Sequence, residues 1–590
     1  MRKRKLKCTQ AVLEVLKEQG VGVIFGIPGG VMIPLYDALY DEPALKHVLM
    51  RHEQAAALAA EGYARRSGKV GVCMATSGPG ATNLVTGLAN AMMDSIPIVA
   101  ITGQVRTSAI GRDSFQEADV TGITIPITKN NRLVKRPQDL VPTLREAFYV
   151  ARTGRPGPCL VDMPVDVSTA EVEWTDPGDN GDYDLEGYSP PREGNPELIE
   201  QAAALIAASQ RPILYLGGGV VSSGASPEAR KLARKCNLYV VNTLIGKGAY
   251  PETDRQSLGM PGMHGTVYAS YGINHADLII AVGARFDDRV TGDLSTFAPE
   301  AKVIHIDIDP AEIGKNREAD VGIVGDAKQV LTALVAAVPR RPRGAWEDHL
   351  DQYRAEHPLP EPPGDGIYPQ QVIREIFEVT NGEAVVATEV GQHQMWAAQI
   401  YLAKEPRQFL SSGGLGAMGY GFPAAIGAQM ASPDAVVFDI AGDGSIQMNI
   451  QELATATYER LPVKVAIMNN GYLGMVRQWQ ELLYERRYSG VTLSGNPDFA
   501  AVAKAYGAEG RTITEREEVR PALEWSLTIA DRPVFLDFHV EPEESVFPMI
   551  PAGKSFGDIW ETHPTRRPKG ATKGEAHHRR TRQQPARRSR

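Results

Sequence analysis

The sequence predicts an α/β protein made of three doubly wound parallel-sheet domains, and three observations predict it. The chain has 590 residues, and a single hydrophobic core stops growing near ~250–300 residues, so several domains are required. Short apolar runs alternate with helical stretches along nearly all of it, the pattern of parallel strands joined by crossover helices and buried on both faces. Two polar stretches rich in Pro, Asp and Gly, residues 171–194 and 343–367, interrupt the alternation and read as linkers.

The first block, 1–170, alternates the helical TQAVLEVLKEQG and AAALAAEGYARRSG with the strands VGVIFGIPG, VGVCMAT, IPIVAITG and PCLVDMP. Its opening, MRKRKLKCTQAVLEVL, is basic, but its apolar part is amphipathic and unlike a secretion signal. The second block, 195–342, carries RPILYLGGG, LYVVNTL, DLIIAVG and KVIHIDID as strands. The third, 368–560, carries GEAVVATE, AVVFDI and VKVAIM. Residues 561–590 are basic, with almost nothing apolar, and read as a disordered tail.

Hydrophobic content of 43% and charged content of 23% are those of a soluble globular protein. The net charge of −9 is uneven: Arg566 to Arg590 holds ten Lys/Arg and one Glu, which leaves −18 on the rest. An acidic body gives no case for nucleic-acid binding, and the tail reads as a solvated extension. Cys8, Cys73, Cys159 and Cys236 are scattered, which argues against a disulfide framework or zinc site and fits a reducing cytoplasm. No apolar run is long enough to span a membrane.

Chemistry concentrates between Gly442 and Asn470, GDGSIQMNIQELATATYERLPVKVAIMNN. A strand ends in Gly-Asp-Gly, a helical stretch follows, and a second strand ends in Asn-Asn. Asp443 and Asn470 therefore arrive at the ends of successive strands, where open α/β sheets bind ligands. A carboxylate, an amide oxygen and diphosphate oxygens suit an octahedral Mg²⁺ shell. Gly442 and Gly444 let backbone come close to a phosphate. Glu53 opens an Ala-rich helix, which on its own is only an acid placed well for the helix dipole.

The GDG…NN run resembles the thiamine-diphosphate (ThDP) signature. With RHEQAAALAAEGYAR, ATSGPGATN, DSIPIVAITGQ and GRDSFQE, residues 8–560 resemble the large catalytic subunits of the acetolactate synthase (acetohydroxyacid synthase) family. The resemblance makes the three blocks a pyrimidine-binding, a central FAD-binding and a diphosphate- and Mg²⁺-binding domain. It implies a biosynthetic enzyme of valine, leucine and isoleucine formation. That enzyme decarboxylates pyruvate on ThDP and joins the hydroxyethyl unit to a second pyruvate, giving 2-acetolactate, or to 2-ketobutyrate, giving 2-aceto-2-hydroxybutyrate. The alternative is another ThDP- or FAD-dependent decarboxylase or oxidase, such as pyruvate oxidase.

Site residues follow from the same resemblance. Glu53 meets N1′ of the aminopyrimidine and promotes the imino tautomer that deprotonates thiazolium C2. Pro28, Gly391, Gln392, His393, Gln394, Gly416, Met418, Gly442, Gly444 and Ser445 hold ThDP, with Met418 wedged under its two rings. Asp443, Asn470 and the Tyr472 carbonyl hold the metal. Gly30, Phe115, Gln116, Arg289 and Trp479 line the active site, Arg289 facing the substrate carboxylate and Trp479 the acceptor pocket.

The stretches HGTVYASYGINHADLIIAVGARFDDRVTG and VIHIDIDPAEIGKN resemble flavin-binding segments. They imply that Arg155, Gly217, Gly218, Thr243, Leu244, Met263, His264, Gly283, Arg285 and Asp307 line FAD, which is structural because the net reaction is not redox. The chain departs from the family at Val165, where a lysine is usual, and at Arg106, where some relatives have proline. The family's organisation implies a homodimer or dimer of dimers in which Glu53 meets Asp443 across the interface, together with a small regulatory subunit.

Overall fold

The computed structural model describes residues 3–175, 185–362 and 364–564. The chain enters through β1 (Lys3–Lys7) and builds its first sheet from β2 (Val23–Gly26), β3 (Lys46–Leu49), β4 (Gly71–Ala75), β5 (Ile98–Gln104), β6 (Asn130–Leu133) and β7 (Cys159–Pro164). This sheet is parallel, in the order β3-β2-β4-β5-β7-β6. Every residue of β4, β5 and β7 is buried, as apolar runs covered by helices on both faces require. β8 (Glu171–Thr175) then returns antiparallel to β1.

The second sheet is also parallel: β9 (Pro212–Leu216), β10 (Tyr239–Asn242), β11 (Leu278–Val282), β12 (Lys302–Asp307) and β13 (Val321–Val324), in the order β10-β9-β11-β12-β13. The third holds β14 (Val385–Thr388), β15 (Phe409–Leu410), β16 (Val437–Gly442), β17 (Lys464–Asn469), β18 (Glu509–Ile513) and β19 (Val534–His539), in the order β15-β14-β16-β17-β19-β18. Counted from its first strand, the third sheet has the same order as the first, and the second sheet follows it except at its last edge. In all three, the strand order reverses between the first and third strands. Ligands of doubly wound sheets bind outside the carboxyl ends of the strands flanking that reversal.

The first and third domains share a core. The helices Glu53–Ser67 and Gly421–Ala431 cross through it, with Ala56, Ala60, Phe422 and Ala425 buried together. The crossing is set by glycine. A Cβ on Gly62 would lie 2.2 Å from the Ala424 carbonyl oxygen, and one on Gly427 would lie 1.9 Å from that of Ala59. This is why the helix that begins at Glu53 is built of alanines.

Three boundaries differ from the sequence reading. Part of the expected linker 171–194 is β8, held by pairing with the chain's opening residues; residues 176–184 fall outside the described part. The expected linker 343–367 contains the helix Ala345–Glu356, whose Trp346 and Leu350 are buried with Ile273 and Phe297 of the second domain. At the other end, Trp560 bridges Met549, and the Glu561 carboxylate lies 2.9 Å from His357 Nδ1, so packing continues past 560. The basic tail from 565 onward lies outside the described residues. Among the described residues no helix is long and apolar enough to cross a membrane, and all four cysteines are buried free thiols.

Candidate active site

The β14/β16 reversal opens into a cleft lined by Gly391, Gln392, His393, Met418, Gly442, Asp443, Gly444, Ser445, Asn470 and Tyr472. Nearly the whole set expected to hold ThDP and the metal is thus brought together. Pro28 and Gly416 do not line it, and neither does Gln394. Its amide turns away and donates to Ser411 Oγ at 2.8 Å and the Ser412 carbonyl at 3.0 Å, so it supports the cleft from behind. Gly416 sits at the rim with φ +69°, the Val390 side chain being the nearest atom to where a Cβ would stand.

Asp443 is buried at the end of β16. Its Oδ2 accepts hydrogen bonds from Gly471 N at 3.1 Å and Asn496 Nδ2 at 2.6 Å. Burial pushes its carboxyl up to about 6, since the charged form is penalised away from water. The Asn470 side-chain oxygen accepts from Tyr472 N at 3.0 Å. Among the described residues no group of three or more His, Cys, Asp or Glu could hold a metal. A single carboxylate, an amide oxygen and a peptide carbonyl are a hard, oxygen-only set that needs further ligands, and diphosphate oxygens would supply them. The donor set therefore fits Mg²⁺ bound together with a diphosphate.

His393 stands beside it, fully buried, with Nε2 unpartnered. Burial pushes it down to about 3, so the ring is neutral at working pH. A Cβ on Gly442 would lie 2.6 Å from His393 Nδ1. Only glycine fits between that ring and the Asp443 turn.

The β2/β4 reversal carries the other half. Glu53 is buried at the first turn of its helix, and its Oε2 accepts from Asn83 Nδ2 at 2.9 Å. Its Oε1 faces Gly80, where a Cβ would lie 3.2 Å away. Gln116 adopts φ +59° and its carbonyl oxygen lies 2.7 Å from a Cβ built on Gly78, so the loop bearing Phe115 and Gln116 folds onto the SGPG turn. Phe115 is 88% exposed, and Pro28 and Gly30 are exposed as well. Glu53 does not line the Asp443 cleft.

The second domain places its expected residues at strand ends. Gly217 and Gly218 follow β9, Thr243 and Leu244 follow β10, Gly283 and Arg285 follow β11, and Asp307 ends β12. A Cβ on Gly217 would lie 2.0 Å from the Gly283 carbonyl oxygen, so the glycine run also closes backbone on backbone across the reversal. Burial pushes Asp307 up to about 6 and His264 down to about 4, and His264 Nδ1 is buried without a partner. Arg155 is already engaged by Glu312 at 2.7 Å and by Ser95 Oγ at 2.8 Å. Arg289 Nη1 donates to Met263 Sδ at 3.7 Å beside a smaller cleft that both line. Trp479 lies on the helix Gly474–Leu483, outside the Asp443 cleft, with an unpartnered indole N–H.

Two side chains in direct contact with the key carboxylates escaped the sequence reading. Asn83 holds Glu53, and Asn496 holds Asp443. ATSGPGATN contains the first, but a lone asparagine has no spacing that marks it.

Comparison with known proteins defines the class. Residues 6–123 match the family described as "Thiamine pyrophosphate enzyme, N-terminal TPP binding domain", 199–334 the central domain, and 389–538 the "C-terminal TPP binding domain". The domain order is that of a thiamine pyrophosphate enzyme. The chain is 51% identical over 568 residues to "Acetolactate synthase" of Mycobacterium bovis, covering 94% of this chain and 91% of the relative. It is 49% identical to "Acetolactate synthase large subunit" of Corynebacterium glutamicum, covering 93% and 89%. It is 48% identical to "Probable acetolactate synthase large subunit" of Methanocaldococcus jannaschii, covering 94% and 95%. The chain belongs to the acetolactate synthase large-subunit family.

Proposed function

We propose that this chain is a biosynthetic acetolactate synthase that converts two pyruvates to 2-acetolactate and CO₂, and pyruvate plus 2-ketobutyrate to 2-aceto-2-hydroxybutyrate. The carrying observation is the Asp443 cleft, with its one buried carboxylate and glycine-lined floor at a strand reversal. ThDP, when bound, supplies the carbon nucleophile for a 2-keto acid and takes up the electrons left by departing CO₂. Asp443, Asn470 and the Tyr472 carbonyl would hold Mg²⁺. Gly442, Gly444, Ser445 and His393 would receive the diphosphate, and Gly416 and Met418 the aminopyrimidine. Glu53, its Oε2 fixed by Asn83, would exchange a proton with the pyrimidine ring nitrogen through Oε1. Arg289 is exposed and suits a substrate carboxylate through paired hydrogen bonds.

FAD is assigned to the β9/β11 reversal as a structural cofactor. The unpartnered His264 nitrogen and the close Gly217–Gly283 approach support this. A small regulatory partner is proposed because relatives are named large subunits. A cytoplasmic setting is supported by the free thiols. A homodimer is proposed because the Glu53 half-site stands apart from the cleft in one chain.

Purified protein given pyruvate, with and without 2-ketobutyrate, ThDP, Mg²⁺ and FAD, should form the two acetohydroxyacids. Acetate and hydrogen peroxide as main products would instead make it an oxidase. Mixing Glu53→Gln with Asp443→Ala chains tests the shared site. Random pairing leaves one fully intact site in each mixed dimer, about a quarter of wild-type activity. No recovery would place both residues of a site in one chain.

A further inference from the structure

The loop Ser412–Gly419 joins β15 to the helix Gly421–Ala431 and carries Gly416 and Met418. No strand ladder holds it. Two of its amides are instead bound by a first-domain side chain, while at its far end Gly419 N is held by Glu389 Oε2 at 2.8 Å and Ser445 Oγ at 3.1 Å of its own domain. Asp94 Oδ1 accepts from Gly414 N at 2.7 Å, and Oδ2 accepts from Gly413 N at 3.0 Å. Ser412 Oγ donates to Asn90 Oδ1 at 2.5 Å and accepts from Ala417 N at 2.8 Å, the amide of the Gly416–Ala417 peptide. Asn90 and Asp94 lie one turn apart on the helix Val85–Asp94, so both face the loop.

Behind them stands a second pair, also one turn apart, on the helix that begins at Glu53. Glu61 Oε2 accepts from Asn90 Nδ2 at 2.8 Å. Arg65 bonds both Glu61 Oε1 at 2.7 Å and Asp94 Oδ2 at 2.5 Å. Every member of the set is buried. Buried charges are a poor way to gain stability, because well-packed apolar groups do as well or better. What this set provides is fixed direction: the Asp94 carboxylate aimed at the loop is held by Arg65, and the Asn90 amide aimed at it is held by Glu61.

We propose that Asn90 and Asp94 are positioning residues for the reaction: they fix the backbone of Gly416 and Met418 over the Asp443 cleft from the neighbouring domain. The inference rests on the reading that this backbone receives the aminopyrimidine. It ties the loop to the same helix that presents Glu53 to the partner copy's cleft, so one rigid element sets the loop of one site and the acid of the other. A fault in Asn90 or Asp94 misplaces the loop without touching cofactor or substrate.

The test uses the full chain with Asp94→Asn, Asn90→Ala and Ser412→Ala. ThDP affinity is measured in the presence of Mg²⁺, along with kcat, KM for pyruvate and the apparent Tm. Ser412→Ala removes one hydroxyl and leaves the buried charges alone, so it decides the matter should Asp94→Asn fail to fold. The expected result is roughly tenfold weaker ThDP binding and a comparable fall in kcat, the loss of about one to two hydrogen bonds. KM for pyruvate should stay unchanged, and the Tm of Ser412→Ala should stay near wild type. Combining Ser412→Ala with Asp94→Asn should cost less than the product of the two, since both act on one loop. ThDP affinity and kcat within twofold of wild type in folded variants would overturn the proposal, as would a fall in both that merely tracks lost Tm. Wild-type protein that does not bind ThDP would overturn the functional reading itself.

Discussion

Gly427→Ala should destabilise this protein even though alanine is the better helix former. The added Cβ would lie 1.9 Å from the Ala59 carbonyl oxygen and 2.7 Å from Tyr63 N, both backbone atoms of the crossing helix Glu53–Ser67. No side chain can rotate away, so the two helices must part by about 1 Å. A gap of that size forfeits a quarter to a half of the dispersion energy along the contact. Overpacking costs about 1–3 kcal/mol when side chains can yield, and more when backbone must move. Alanine's helix propensity returns about 1 kcal/mol. The net is a loss of roughly 2 kcal/mol or more, which for a unit of this size lowers the apparent Tm by roughly 5 °C. Glu53 begins the displaced helix, so kcat should fall as well. The assay is thermal unfolding with ThDP and Mg²⁺ present, with Gly495→Ala, which meets nothing within 4 Å, as the control. A Gly427→Ala protein with wild-type Tm and full activity would refute the claim that backbone contact sets this crossing.

Glu53→Gln should lower kcat by roughly 10²–10⁴ while circular dichroism and ThDP binding stay near wild type; a near-normal rate would remove Glu53 from the proton transfer. Asp443→Ala should abolish Mg²⁺-dependent ThDP binding measured by calorimetry, and chelation of wild-type protein should stop turnover until Mg²⁺ is restored; retained binding would reassign the metal. Asp162 accepts from Thr102 Oγ1 at 2.8 Å and Gln104 Nε2 at 3.0 Å, and burial pushes its carboxyl up to about 7. Its folded form favours the neutral acid, so its contribution to stability is complete well below its unfolded value and lost as pH rises through about 7. Asp162→Asn should therefore flatten the decline of Tm between about pH 4 and pH 7, and parallel profiles for the two proteins would contradict the assignment.

Local pattern exposed what local physics controls. The parallel strands, the glycine turns at their ends and the acid at the head of an Ala-rich helix were all legible, because burial period and backbone freedom leave marks in single stretches. The matching strand order of the first and third sheets was not legible, since no sequence repeat marks it and order is a property of whole connections. The helix Ala345–Glu356 read as linker because WEDHLDQYRAE is mostly polar. Trp346 and Leu350, four residues apart, are enough to bury one stripe of it. Motif position placed Gln394 near the cleft but not its direction. Each helical residue turns about 100°, so Gln392 and His393 face the cleft while Gln394 meets Ser411.

The division of the site follows from the cofactor's two unlike ends. An anionic diphosphate asks for glycine backbone and a cation, which the β14/β16 reversal offers around Asp443. A pyrimidine nitrogen asks for a carboxyl group, which the β2/β4 reversal offers at Glu53. Within one chain the two domains are already joined along the helices that lead into β4 and β16, with carbonyl oxygens where glycine side chains would be. Turning one domain to bring Glu53 onto the cleft would tear that contact apart. The same packing that makes the chain rigid thus keeps its two half-sites from closing on each other. This supports a second copy as the source of the missing half, and the recovery of activity in mixed dimers is the measurement on which that reading stands.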